Sequence, residues 1–269
     1  MTTADLSGAV PRRDLLAGWQ PTLTTAGLAL AASMLVTGGF ALSDPRLFEG
    51  VGVWIKPLKF QASVALFWLF AAFVFSRLPA QASRSPAGRF VVWAAIASGL
   101  FEVLYIAWRA SRAEASHFNV TSPLSITLYG LMGVGAVVLT TTALVQGIMV
   151  LRSPDRSPVQ RAIGWGLVLT FVLGTAMGGW MSSQLSHFVG VSTGPGLPLV
   201  GWSTTAGDLR PAHFLGVHAA QILPVAVLFV TALVRRPLPW LVPAVAVGIS
   251  ALTLAVFAQA LAGQPLIAL

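Results

Sequence analysis

Four histidines, His117, His187, His213 and His218, are the side chains best suited to chemistry in this 269-residue sequence. Imidazole binds metals and haem iron and exchanges protons near neutral pH. Three of the four are followed by phenylalanine, in Ser116-His117-Phe118-Asn119, Ser186-His187-Phe188 and Ala212-His213-Phe214. The shared form places each ring at a similar boundary, with its phenylalanine anchored in apolar surroundings. His213 and His218 are five residues apart and point about 140° away from each other on a regular helix. They therefore do not make the one-face pair that chelates zinc at a spacing of four, and each needs a histidine from another segment to ligate. Gln184 lies one turn before His187 and Gln221 one turn after His218, placed to hold those rings. Met177 and Met181 run toward His187, either as soft copper ligands or as plain apolar packing.

A second set carries charge. Glu102, Tyr105, Arg109 and Arg112 recur at spacings of three, four and three, one face of a helix. Glu102 falls inside an apolar run, where a carboxylate is costly and marks either a site or a structural ion pair. Its partner is Arg109, a lysine or a group on another helix. The sequence has only two lysines, Lys56 and Lys59, among 16 basic residues. They stand in Trp54-Ile55-Lys56-Pro57-Leu58-Lys59, while Arg210 stands in Asp208-Leu209-Arg210-Pro211. Together with Thr121-Ser122-Pro123, each of these segments puts proline where a first helical residue belongs. Helix N-termini present free N–H groups and a positive dipole end, so cations beside them become favourable when an anion is bound there. The plain alternative is that the lysines reach out to lipid phosphates. Asn119 and Asp208 complete the polar set, with Glu102 or Asp208 as the acceptor that orients an imidazole.

The elements that must position these groups are membrane helices. Charged residues are 9% and hydrophobic residues 56% of the chain, against about a quarter charged in an ordinary soluble domain, and the mean hydropathy is +0.81. Apolar runs at 22–42, 58–76, 90–108, 124–151, 162–181, 212–234 and 239–262 each approach the ~20 residues a bilayer requires. The fold expected is an all-α bundle of about seven spans. A short segment, 1–21, precedes one helical domain, 22–269, and a Gly- and Pro-rich loop at 182–211 caps one face, with Leu197, Leu199, Val200 and Trp202 packing it down. Arginines at 12, 13, 77, 84, 89, 152, 156, 161, 235 and 236 fall on one side. By the positive-inside rule that side is the cytoplasm. The N-terminus is then inside, the C-terminus outside, and every histidine and lysine lies on the extracytoplasmic face of a cell's inner membrane. Arg12-Arg13 also fits a twin-arginine export signal, but its apolar run is too long and its cleavage site poor.

Several classes drop out. With no cysteine there are no disulfides, thiolate zinc sites, iron–sulfur clusters or covalent haem. The net charge of +8 is accounted for by loop arginines and does not indicate nucleic acid. No nucleotide loop or serine nucleophile elbow is present, and the seventh run has no lysine to hold retinal.

The segments Trp54-Ile55-Lys56-Pro57-Leu58-Lys59-Phe60, Ser116-His117-Phe118-Asn119 and Gly194-Pro195-Gly196-Leu197-Pro198 through Asp208-Leu209-Arg210-Pro211-Ala212-His213-Phe214 resemble a group of bacterial multi-pass membrane proteins of unknown activity. The likeness covers most of the chain and implies a helical bundle without implying a reaction. The leading expectation is a site for haem b or a copper or zinc ion, ligated by the histidines, with Arg109, Arg112, Arg210, Lys56 and Lys59 meeting haem propionates. The alternative is a carrier or binding protein for a small anionic solute or lipid headgroup. An intramembrane enzyme acting on a lipid or quinone and a structural subunit follow. The lipid bilayer is the one partner expected throughout; the sequence leaves oligomeric state open.

Overall fold

The computed structural model describes residues 16, 18–194, 196–235 and 238–268. Arg12, Arg13, Pro195 and Arg236, to which parts of the topology and cap readings were attached, lie outside the described residues. Eight α-helices account for nearly all the regular structure: α1 (Pro21–Ser43), α2 (Ile55–Phe75), α3 (Pro86–Ser111), α4 (Pro123–Arg152), α5 (Pro158–Ser183), α6 (Arg210–Val217), α7 (Ala219–Val234) and α8 (Leu241–Leu261). Two antiparallel pairs of two-residue strands, β1 (Leu47–Phe48) with β2 (Val51–Gly52) and β3 (Phe188–Val189) with β4 (Gly207–Asp208), are the only sheet among the described residues. Among the described residues six helices are long and apolar enough to cross a membrane, seven if the bent pair α6–α7 counts as one span. The chain is a multi-pass helical membrane bundle.

Helix starts follow local chemistry. Proline opens α1, α3, α4 and α5, and the residue before it accepts a first-turn N–H: Gln20 from Leu23, Ser85 from Gly88, Ser122 from Ser125 and Ser157 from Gln160. Such caps satisfy donors that no helical carbonyl reaches. Two starts differ from expectation. Helix α2 begins at Ile55, so Pro57 is its third residue, and α6 begins at Arg210, so Pro211 is its second. Anywhere in the first turn proline's missing N–H costs nothing. The caps of these two helices, Trp54 and Leu209, make no side-chain capping bond.

Packing divides the helices into two groups, α1–α4 and α5–α8, joined mainly by α4 against α5. At the end where α2 finishes and α5 starts the groups are closed. Val74, Ala143, Val150, Ile163, Leu167 and Ala220 form one buried cluster there, backed by Phe67, Phe70 and Phe73. Gln146 donates to the Ala71 carbonyl, and Gln160 to the Arg77 carbonyl and Ser153. The opposite face carries the connections 44–54, 112–122 and 184–209.

The sixth span is not one straight helix. It bends by 64° between α6 and α7, at His218. The cause lies in α5, where Gly166, Thr170, Gly174 and Gly178 form a stripe at every fourth residue. A Cβ on Gly166 would meet the Ala219 carbonyl at 2.9 Å, and one on Gly174 would meet Val217 at 2.9 Å. Small residues allow that approach. Thr170 then services the broken backbone, its Oγ1 donating to the Val217 carbonyl (3.3 Å) and accepting from the Ala220 N–H (3.0 Å). Thr170→Val removes both bonds inside a buried contact and is expected to cost about 1–2 kcal/mol. Thermal unfolding in detergent measures it; an unchanged midpoint would show that the break needs no such brace.

Candidate functional site

The cap over the histidine face is held by polar bonds more than by apolar packing. The Asp208 carboxylate, fully buried, accepts from the Ser203 N–H and the Arg210 N–H and pairs with the Arg210 guanidinium. Arg210 also donates to the Gly201 carbonyl at 2.6 Å. Asp208 thus builds the cap and is not free to orient an imidazole. Trp202 packs edge-on against Phe214, but Leu199 is 93% exposed, contrary to its expected packing. Across the face, Lys59 Nζ donates to the Val200 carbonyl at 3.1 Å, tying the cap of the second group to α2 of the first.

Beneath that bridge stands Lys56, on the first turn of α2. The residue is exposed on the histidine face. Among the described residues no hydrogen bond or ion pair is made by its ammonium group. It is the electrostatic hub of the face, within reach of Glu49, Glu102 and Arg210, of His117 and of His187.

Glu102 stands on α3. It is 4% exposed, and its Oε1 has no hydrogen-bond partner among the described residues. The room for it comes from α4: a Cβ on Gly135 would stand 3.0 Å from that oxygen. Arg109 is taken by Glu114, and Glu102 makes no ion pair among the described residues; the Lys56 charge reaches it only through space.

The four imidazoles are seated separately. His117 packs on Phe60 (5.6 Å between centroids) and Phe118, and its Nδ1 is 3.1 Å from Ser116 Oγ. His187 stacks on Phe188 at 4.0 Å and lies against Phe118. His213 rests on α5, its Cε1 3.1 Å from where a Gly178 Cβ would be. His218 sits at the break, with Phe214 at 4.4 Å and Gln221 beside it. Among the described residues no three His, Asp or Glu side chains converge as a group that could hold a metal ion. Met177 and Met181 lie in apolar clusters, with Ala212 and Val256 and with Leu209 and Ala260. Gln184 caps the end of α5 and is exposed.

Both loop histidines are held uncharged at neutral pH. Burial pushes the His117 imidazole well below its ordinary value, and the Lys56 charge adds to this. Burial, then Arg210, lowers His187 to about 4. The unfolded chain binds protons at these positions near pH 6.5, where the folded chain does not, so stability rises with pH across that interval. The His187 contribution is complete above about pH 6.5 and is lost as the pH falls through about 4. Thermal melts between those values are expected to show the decline and His187→Gln a shallower one; parallel curves for the two proteins would contradict it.

The remaining candidates form a separate pocket. Arg109, on the end of α3, donates to the Tyr105 hydroxyl and to Ser125 Oγ and is ion-paired with Glu114, which also binds Arg112. Asn119 is used locally, donating to the Ala115 carbonyl and accepting from Thr121. Phe118, in left-handed backbone (φ 58°), lines this pocket while its ring touches His117 and His187, so it stands as the wall between the two sites. Sequence reasoning missed Glu114, Gly135 and the α5 stripe. Only the stripe, as small residues repeating every fourth position, carries a signal readable without the fold.

Comparison with protein-family models, with curated proteins and with solved structures gives no match.

Proposed function

We propose that this membrane bundle binds a small organic anion in the crevice around Lys56, as a receptor or carrier entered from the histidine face. The observation that carries the reading is the Lys56 ammonium, exposed on the histidine face and without an ion pair among the described residues. The uncapped start of α2 adds a positive dipole end beside it. Arg210 is already neutralised by Asp208, which leaves Lys56, with Lys59 held to the Val200 carbonyl above it, as the uncompensated charge of this face.

The loop histidines His117 and His187 serve as uncharged hydrogen-bonding groups, and their phenylalanine partners line space for an apolar body. A carboxylate on an aromatic or aliphatic frame suits both. The arginines of the opposite face, Arg77, Arg84, Arg89, Arg152, Arg156 and Arg161, orient that face to the cytoplasm under the positive-inside rule, so the anion arrives from outside the cytoplasmic membrane.

The test is a titration of detergent-purified protein with benzoate and with inorganic phosphate, read by tryptophan fluorescence beside an absorption spectrum and metal analysis. Saturable binding by colourless, metal-free protein is expected. A Soret band, stoichiometric metal bound through the histidines, or the absence of any saturable anion binding would overturn the reading.

A further inference from the structure

The second pocket has its own chemistry. It is a cavity of about 660 Å³ between the end of α3 and the start of α4, lined among others by Trp108, Arg109, Arg112, Glu114, Ser122 and Leu124, within the ~300–1,000 Å³ range of small-molecule sites. Two guanidinium groups share one carboxylate there, leaving a net positive charge. Arg109 spends a donor on each of three partners. Arg112 spends only its Nε on Glu114, is 56% exposed, and keeps both terminal amino groups without partners among the described residues. No acidic residue stands in the first turn of α4.

The pocket's mouth faces lipid. Trp108 and Leu124 both line it and are exposed, and Leu104, one turn before Trp108 on the same face, is exposed as well. Trp108 also stacks against both guanidinium groups, 4.8 Å from Arg109 and 5.7 Å from Arg112. Helix α3 has 26 residues and so extends about 39 Å, beyond a hydrocarbon core of ~30 Å. Its last turn, with Arg109, therefore stands at headgroup level. A cationic pocket with an apolar lip at that depth is complementary to a phosphate ester that carries acyl chains, and a soluble phosphate would have no use for the lip.

We infer that this pocket binds the phosphate of an anionic phospholipid from the leaflet on the histidine face, with Arg112 as the principal contact. The inference is independent of the Lys56 crevice. Native mass spectrometry of the full chain, with phosphatidylglycerol added in detergent, tests it. Phosphatidylglycerol is expected to be retained by the wild type and by Lys56→Met, and about fivefold less by Arg112→Ala, an exposed position whose truncation leaves the bundle folded. Equal retention by Arg112→Ala and wild type would overturn the site. Displacement of the bound lipid by millimolar inorganic phosphate would overturn the assignment to lipid, and no displacement supports it.

Discussion

Lys56→Met is expected to weaken anion binding by at least about thirtyfold while leaving the unfolding temperature unchanged or higher. Truncating a desolvated charge contact costs about 2–5 kcal/mol of binding, and about 2 kcal/mol corresponds to some thirtyfold. The stability half has a different origin. Lys56 is exposed and makes no ion pair among the described residues, so its removal orphans no partner, and substitutions at such positions usually stay within about 0.5 kcal/mol. A lysine kept for packing or for a structural salt bridge would behave in the opposite way, with lost stability and intact binding. Glu102 supplies an internal control, because Lys56 is the charge that acts on it. The double variant Lys56→Met/Glu102→Gln, which also removes the facing carboxylate, is expected to be more stable than Lys56→Met alone. Isothermal titration and thermal melts of the wild type and these two variants separate the outcomes.

The second large effect concerns the cradle of that carboxylate. Gly135→Val places branched carbon where Glu102 Oε1 now lies, 3.0 Å from the ideal Cβ position. Overpacking of this kind costs about 1–3 kcal/mol, and here it also drives a buried carboxylate out of its niche. In a Glu102→Ala background the closest contact is gone and only the Phe101 ring remains, at 3.4 Å, so the cost is expected to fall. A coupling of at least about 1 kcal/mol in this cycle is what contact between the two positions requires. Additive effects in thermal unfolding would show that Gly135 is not where Glu102 resides.

How much of this was readable in the chain differs by level. The spans were, because lipid imposes one demand on every residue between the headgroups; the predicted 124–151, for example, is α4 at Pro123–Arg152. The break in the sixth span was not. Beyond Pro211 in its first turn, its one proline, Pro224, sits in α7, six residues past the bend. What bends the span at His218 is Thr170 and the glycines of another helix. The helical face of Glu102, Tyr105 and Arg109 was legible from spacing, yet the residues on it serve different sites. Rotation of α3 turns Glu102 toward Gly135, whereas the left-handed turn at Ala113 (φ 52°) brings Glu114 back over Arg109. Such a return is set by how a helix ends, and intervals along α3 do not encode it. The four histidines were expected to ligate jointly. They do share a face, but each is seated against its own aromatic neighbour or glycine, so a shared face did not become a shared centre.

The central claim is that the crevice around Lys56 is an anion site. An experimental structure of the protein bound to para-bromobenzoate tests it most directly, because anomalous scattering from bromine fixes the ligand's position and direction. The account predicts the carboxylate within hydrogen-bond distance of Lys56 Nζ and the bromine among the rings of Phe60, Phe118 and Phe214. Bromine found only at the Arg112 pocket or the lipid surface, or a metal ion bridging the histidines beside an empty Lys56, would contradict it.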